Sequence, residues 1–343
     1  MITSQESLLD LIGADGVQLV IPVYQRVYAW SERQCDTLFE DALRAGRTRR
    51  AHFIGTILYA RDVDSRGACE QLDVIDGQQR SATVTLLLCA LRDHLAETGT
   101  RLRSISAAEI TRRYLHVESL PEAPKLVLGR VDRETMRALV EGADLPEGDD
   151  LSTNVAIAYE RFRAKLRDDV ADEDVERLWE GICRLYVVAA RLEEDDRAQL
   201  IFESLNSKGV PLTTADLVRN LLLINIGYEE QTRLYETYWA PVERLYADDA
   251  DGGRLTAAIR GWLATTAPRL KTSGKNEVYP AFRTYLEDMH RGTVEELLVG
   301  LSGFCTMFAA RSQGAKAARS LPHDNWGDSL AHGIIAERKL FGD

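Results

Sequence analysis

Five consecutive residues, Asp76, Gly77, Gln78, Gln79 and Arg80, follow an apolar strand-like run and precede an apolar helical run over residues 81–95. A strand, a tight turn and a helix in that order aim backbone N–H groups and the positive end of a helix dipole at one point, which suits a phosphate or another anion. Gly77 lets the backbone approach closely or take a positive φ. Arg80 adds a planar, permanently charged fork for phosphate oxygens. Asp76 is an acceptor-only carboxylate that could hold Mg²⁺ or position a nucleophile. Gln78 and Gln79 both donate and accept, so either could orient water or a base edge. The same residues also suit a plain polar turn in which Asp and Gln cap the helix.

Three other clusters carry chemistry. Tyr24, Gln25, Arg26, Tyr28 and Trp30 interleave aromatics with an amide and a guanidinium, a mixture that can stack on bases and hold phosphates. Their alternative use is to fill the core from a half-buried loop. Asn206 and Lys208 fall on a turn with Gly209 at the bend, which an ordinary helical hairpin would also contain. Arg44, Arg47, Arg49 and Arg50 form the best local basic patch, although a helix C-terminus also favours cations.

The elements that would position these residues follow from periodicity. Residues 17–21 read as a strand that Pro22 ends. Ser31 and Gln34 have capping-box spacing, and Cys35, Leu38, Phe39, Ala42 and Leu43 then share a helical face to about Gly46. Residues 53–59 read as a buried strand in which Gly55 marks a close approach by another group. Residues 61–68 read as a polar loop and 70–76 as the next strand. Val84, Leu87, Leu88, Leu91 and Leu95 then form a helix stripe. This order makes residues 1–100 a small α/β or α+β domain. Helices are predicted over 107–116, 132–141, 152–167 and 172–185, and 186–192 is a strand-like run that could return to the N-terminal sheet. Thr213 and Asp216 have capping-box spacing for another helix, and helices continue over 230–246, 255–267, 276–290 and 294–311.

Composition excludes several classes. The chain has 45% apolar and 28% charged residues, as soluble globular proteins do. With 42 basic against 54 acidic residues, overall charge would not coat nucleic acid, so any DNA contact must be local. The five cysteines lack CxxC pairing, which favours reduced, packed thiols. No stretch has the apolar length of a membrane span or a signal peptide, so a cytoplasmic protein without membrane contact is expected. There is no GxxxxGK[ST], GxGxxG, HExxH or GxSxG motif, and His323-Asp324-Asn325 stands isolated.

Four ordered blocks, residues 21–30, 53–57, 74–80 and 202–209, with Leu212 and Asp216 downstream, resemble GmrSD-type modification-dependent restriction proteins. The N-terminal part is also similar to that of SspE-like effectors of phosphorothioate-dependent anti-phage defence, and that branch is favoured. The resemblance implies an α+β chain. A ParB/sulfiredoxin-like nucleotide-binding domain would occupy 1–100, a helical region with a returning strand and the 202–209 block 101–227, and a further helical region 228–343. It implies hydrolysis of a nucleoside triphosphate, GTP or ATP, with Mg²⁺ or another divalent metal, coupled to reading modified DNA. The modification would be phosphorothioate, or glucosylated cytosine as in GmrSD-type enzymes.

In this family the DGQQR motif is assigned to the NTPase, so Asp76, Gln78, Gln79 and Arg80 would be catalytic and Asp76 the metal ligand. Gly77, Arg80, Gln25, Arg26, Asn206 and Lys208 would bind nucleotide, and Tyr24, Gln25, Arg26, Tyr28 and Trp30 would sense the modified DNA. The histidine-led HNH nuclease motif that follows in such proteins is absent from the sequence. Nuclease activity is therefore not expected from this chain alone, and the nuclease would be a further C-terminal domain or a separate partner. The alternative is a DNA-modification sensor that hydrolyses nothing and regulates a partner nuclease.

Overall fold

A computed structural model describes residues 1–62, 69–193, 212–224, 226–247, 252–272 and 277–313, with the single positions 195, 196, 199, 201, 249 and 274. Asn206, Lys208 and the rest of the 202–209 block lie outside the described residues, as do His323, Asp324 and Asn325. The chain divides into two compact units, Met1–Ala198 and Gln199–Asp343.

The first unit is α+β. Its strands are β1 (Ile2–Ser7), β2 (Val17–Val20), β3 (His52–Arg61), β4 (Glu70–Asp76), β5 (His116–Val117), β6 (Leu120–Pro124), β7 (Leu126–Val127) and β8 (Leu185–Arg191). Its main helices are α1 (Leu8–Ile12), α2 (Glu32–Thr48), α3 (Gln78–Thr98), α4 (Ala107–Ile110), α5 (Arg130–Glu141), α6 (Thr153–Asp168) and α7 (Asp172–Ile182). Six strands make one mixed sheet in the order β1-β8-β3-β4-β2-β7, and β5 pairs with β6 apart from it. The central strand β3 runs parallel to β8 and antiparallel to β4, so the late strand predicted over 186–192 does return to the N-terminal sheet. The compact unit therefore extends past the expected 1–100 domain, because the sheet needs β7 and β8 to be complete.

Local chemistry explains the elements nearest the DGQQR turn. Helix α2 opens on the expected capping box, with Gln34 Oε1 accepting from the Ser31 amide at 2.9 Å. Helices α2 and α7 cross where each carries a glycine: a β-carbon on Gly46 would meet the Arg177 carbonyl oxygen at 1.8 Å, and one on Gly181 the Ala42 oxygen at 1.7 Å. Helix α3 differs from its predicted single stripe. Val84, Leu86, Leu87, Leu88, Cys89, Ala90 and Leu91 are all fully buried, as in a helix enclosed on every side. It is the spine of the unit, packed against α4, α5 and α6 and against β7 of the sheet.

The second unit is helical among its described residues, with helices at Thr214–Leu223, Tyr228–Leu234, Ala240–Leu245, Gly253–Thr266, Val278–Thr284 and Val294–Gln313. The Thr213 and Asp216 capping box forms as predicted, the Thr213 amide donating to Asp216 Oδ2 at 3.0 Å and the Asp216 amide to Thr213 Oγ1 at 3.1 Å. All five cysteines are free. Among the described residues no helix is long and apolar enough to cross a membrane.

Candidate functional site

Strand β4 ends at Asp76, Gly77 turns the chain with φ +98°, and α3 starts at Gln78. The glycine is required twice over. Its positive φ disfavours any side chain, and a β-carbon there would stand 2.9 Å from Ile57 Cγ1 and 3.1 Å from the Thr56 oxygen. Neither Asp76 nor a glutamine caps the helix: Gly77 is the N-cap and no side-chain oxygen accepts from the first turn. The amides of Gln78, Gln79 and Arg80 thus open a helix of 21 residues without a side-chain cap, the arrangement that receives anions.

Arg80 folds back over this turn. Its Nη2 donates to Asp76 Oδ2 at 3.2 Å and its Nη1 to the Ile54 carbonyl at 3.4 Å, which leaves three of the guanidinium's five donors uncommitted to those contacts. Asp76 and Arg80 side chains are 24% and 21% exposed, enough for a ligand to reach both. The close approach that Gly55 signals in the sequence is this guanidinium.

Residues 24–30 are stitched to the same turn. Gln25 Nε2 donates to the Ile75 carbonyl at 2.9 Å and Gln25 Oε1 accepts from Gln78 Nε2 at 3.3 Å. Gln79, which is buried, accepts from the Ala29 amide at 2.8 Å and donates to the Val27 carbonyl at 3.2 Å. The two glutamines therefore differ: Gln79 uses both ends of its amide to hold the loop, whereas Gln78 is half-buried and its carbonyl oxygen meets no donor among the described residues.

The aromatics separate in the same way. Tyr24 and Tyr28 are 1% and 2% exposed and belong to the core, so neither presents a ring face for stacking on DNA. Tyr28 donates its amide to Asp132 Oδ2 at 2.6 Å, takes the Asn154 side-chain amide on its carbonyl at 3.0 Å, and shares a hydroxyl contact of 2.8 Å with Thr83. Val27 and Ala29 are exposed, and Arg26 and Trp30 are half-buried. Arg26 makes no side-chain hydrogen bond or ion pair among the described residues. The structure thus brings three of the four sequence blocks together: 21–30, 53–57 and 74–80.

A family model described as the GmrSD restriction endonuclease, N-terminal domain, matches residues 7–223, well over half of the chain. The chain belongs to this family. No curated protein matches it. The GmrSD-type domain makes the chain a component of modification-dependent restriction. The matched residues take in the whole DGQQR turn, everything bonded to it, and the helix Thr214–Leu223.

Asp76 sets the terms for a metal in the GmrSD-type turn. Among the described residues no group of three or more His, Cys, Asp or Glu side chains is assembled to hold an ion. Asp76 Oδ2 faces Arg80, and its other oxygen makes no hydrogen bond among the described residues. One carboxylate oxygen fits Mg²⁺ that arrives with a nucleotide, since Mg²⁺ commonly takes its remaining ligands from phosphates and water.

Two carboxyl groups of the GmrSD-type domain, the buried Asp132 and the half-buried Asp73, were not singled out by sequence. Asp132 takes the Tyr28 amide and the Ser152 hydroxyl, both at 2.6 Å, and burial pushes its carboxyl up from the ordinary value. Asp73, on β4, has a buried Oδ1 without a hydrogen-bond partner among the described residues. Burial, and then the Asp62 carboxylate, raise Asp73 to about 7. Its one available signal was an acid between the apolar Leu72 and Val74 of the strand.

Proposed function

We propose that this domain hydrolyses a nucleoside triphosphate, GTP or ATP, under the control of a DNA modification read beside the same turn. The observation that carries the reading is the convergence of residues 24–30 and 53–57 on the uncapped N-terminus of α3, by hydrogen bonds through Gln25, Gln78, Gln79 and Arg80.

The α3 amides and Arg80 would hold phosphate oxygens and stabilise developing charge. Gln78, with its uncommitted carbonyl, would orient the attacking water, and Gln79 would position the loop. Asp76 would hold Mg²⁺, which when bound supplies charge neutralisation at the phosphates. Gln25, whose amide is held by the Ile75 carbonyl and by Gln78, would steady the turn, and Arg26 would meet the nucleotide. The sensing surface is Arg26 and Trp30 with Val27 between them. That surface is apolar with a single cation, which favours a sulfur-substituted phosphate over a sugar that demands many hydrogen bonds. The nuclease that acts on the DNA would be an HNH-type partner, in the same protein or separate, and the setting would be the cytoplasm.

A second reading is a sensor without hydrolysis that regulates that nuclease. The Asp76–Arg80 ion pair favours it, because a carboxylate already neutralised by a guanidinium attracts Mg²⁺ less. Phosphate release from GTP and ATP, with and without phosphorothioate or glucosylated DNA, separates the two. Hydrolysis requires release that falls at least tenfold in Asp76→Ala and Arg80→Ala; no release under any condition leaves the sensor.

A further inference from the structure

The helix α2 ends on Arg49, which takes a left-handed φ of 55° and turns the chain through Arg50 into β3. The neighbouring arginines are committed: Arg44 pairs with Asp41 at 2.8 Å and Arg47 with Asp174 at 2.6 Å. Arg49 and Arg50 are exposed and make no side-chain hydrogen bond or ion pair among the described residues, in a chain of net charge −12.

Beside them the sheet carries an aromatic pair. The His52 amide donates to the Arg184 carbonyl at 2.9 Å, and the next residues on the two strands, Phe53 and Tyr186, are in register. The His52 ring turns toward α2, where it lies 3.2 Å from Asp41, so by alternation Phe53 projects from the opposite face. Phe53 is 48% exposed, with its ring centroid 5.3 Å from that of the half-buried Tyr186. A lone exposed phenylalanine is ordinary. An exposed ring backed by a second one, within a few residues of uncommitted guanidinium groups, is what a stacked base between phosphates requires.

We propose that this corner of the first unit binds single-stranded DNA, with Phe53 stacking on a base, Tyr186 backing it, and Arg49 and Arg50 holding adjacent phosphates. A duplex keeps its base faces stacked inside and offers Phe53 nothing but its edge. Ile54, the residue after Phe53, accepts a hydrogen bond from Arg80 of the DGQQR turn. The inference shares with the proposed function its choice of DNA as partner and does not depend on hydrolysis.

The test is fluorescence anisotropy of labelled oligothymidylate, oligouridylate and a blunt duplex with the full chain, without nucleotide. Oligothymidylate is expected to bind more tightly than the other two. Arg49→Ala/Arg50→Ala should weaken it at least tenfold and flatten its salt dependence by about one to two counterions. Phe53→Ala should weaken it by roughly tenfold, Phe53→Tyr should restore it, and Phe53→Leu should not. Thermal melting of each variant establishes that it folds. Equal or tighter binding of the duplex or of oligouridylate, no binding by the wild-type chain, or wild-type affinity in either alanine variant overturns the proposal. Because nucleotide is absent, the binding outcome is the same whether or not the chain releases phosphate, so failure of the hydrolysis reading and failure of this one are told apart.

Discussion

A β-carbon on Gly55 would stand 1.9 Å from Nη1 of Arg80, so the guanidinium occupies the space that any other residue at 55 would need. Gly55 also holds φ +114°, which side chains disfavour. Gly55→Ala is expected to lose roughly 1–3 kcal/mol from backbone strain and to drive Arg80 off the turn. Denaturant unfolding and phosphate release, measured together, should show a loss of stability with release slowed at least tenfold. Gly16→Ala is the control, because φ there is +62° with nothing within 4 Å. It should cost stability and leave release intact. Wild-type release from Gly55→Ala would show that the Arg80 position does not matter.

Gln78 and Gln79 should separate when each is changed to alanine. Removing Gln79 strands the Ala29 amide and Val27 carbonyl, a loss of about 1–3 kcal/mol. Removing Gln78 breaks one long contact to Gln25 at 3.3 Å and should cost about 0.5 kcal/mol or less. Phosphate release should respond in the other sense, with Gln78→Ala the slower per folded molecule. Equal stability of the two variants would contradict the positions of the two side chains.

Much of this site was legible in the sequence because short-range chemistry determines it. The turn at Gly77, the capping box at Ser31 and the close approach at Gly55 each rest on a residue type whose constraint is local. What periodicity could not show is which polar residues serve structure. Gln78 and Gln79 are adjacent and identical, and only the fold turns one of them onto the 27–29 backbone. Tyr24 and Tyr28 read equally as base-stacking or core residues, and their burial in the fold decides for the core.

The missed elements have a similar origin. Strand β1 has the sequence Ile-Thr-Ser-Gln-Glu-Ser, an exposed edge without apolar alternation, and it exists by pairing with β8. The predicted helix over 107–116 begins as α4 on the Ser106–Glu109 capping box and ends in a wider turn at Thr111–Leu115, after which β5 and the proline-bearing β6 form a hairpin. Nothing in the local pattern of residues 116–127 marks them as strands.

Tyr28→Phe and Arg26→Ala should likewise part. The Tyr28 hydroxyl is buried against Thr83 at 2.8 Å, so its removal should cost about 1 kcal/mol in denaturant unfolding and leave the response to phosphorothioate DNA unchanged. Arg26 has no partner among the described residues, and its truncation should alter stability by no more than about 0.5 kcal/mol. The DNA response of phosphate release is where Arg26→Ala should register. A full response in Arg26→Ala would remove this residue from the sensing surface.

Asp73 makes stability depend on pH in a direction opposite to that of a paired carboxylate. Burial and the facing Asp62 raise its carboxyl from the ordinary 3.8 to about 7, with the Tyr24 hydroxyl also close enough to feel its charge. The folded chain therefore keeps a proton that the unfolded chain loses near pH 4. Below that pH both states are protonated and there is no penalty. Between about pH 4 and pH 7 the penalty grows, and above the folded pKa it is complete. Asp73→Asn removes the charge while keeping the shape. The variant should be more stable than wild type by roughly 2–4 kcal/mol near pH 8, with the gap reduced to less than about half near pH 5. Urea unfolding across that range measures it, and a gap that is constant with pH, or that widens toward acid, would mean Asp73 is already ionised in the folded chain at low pH.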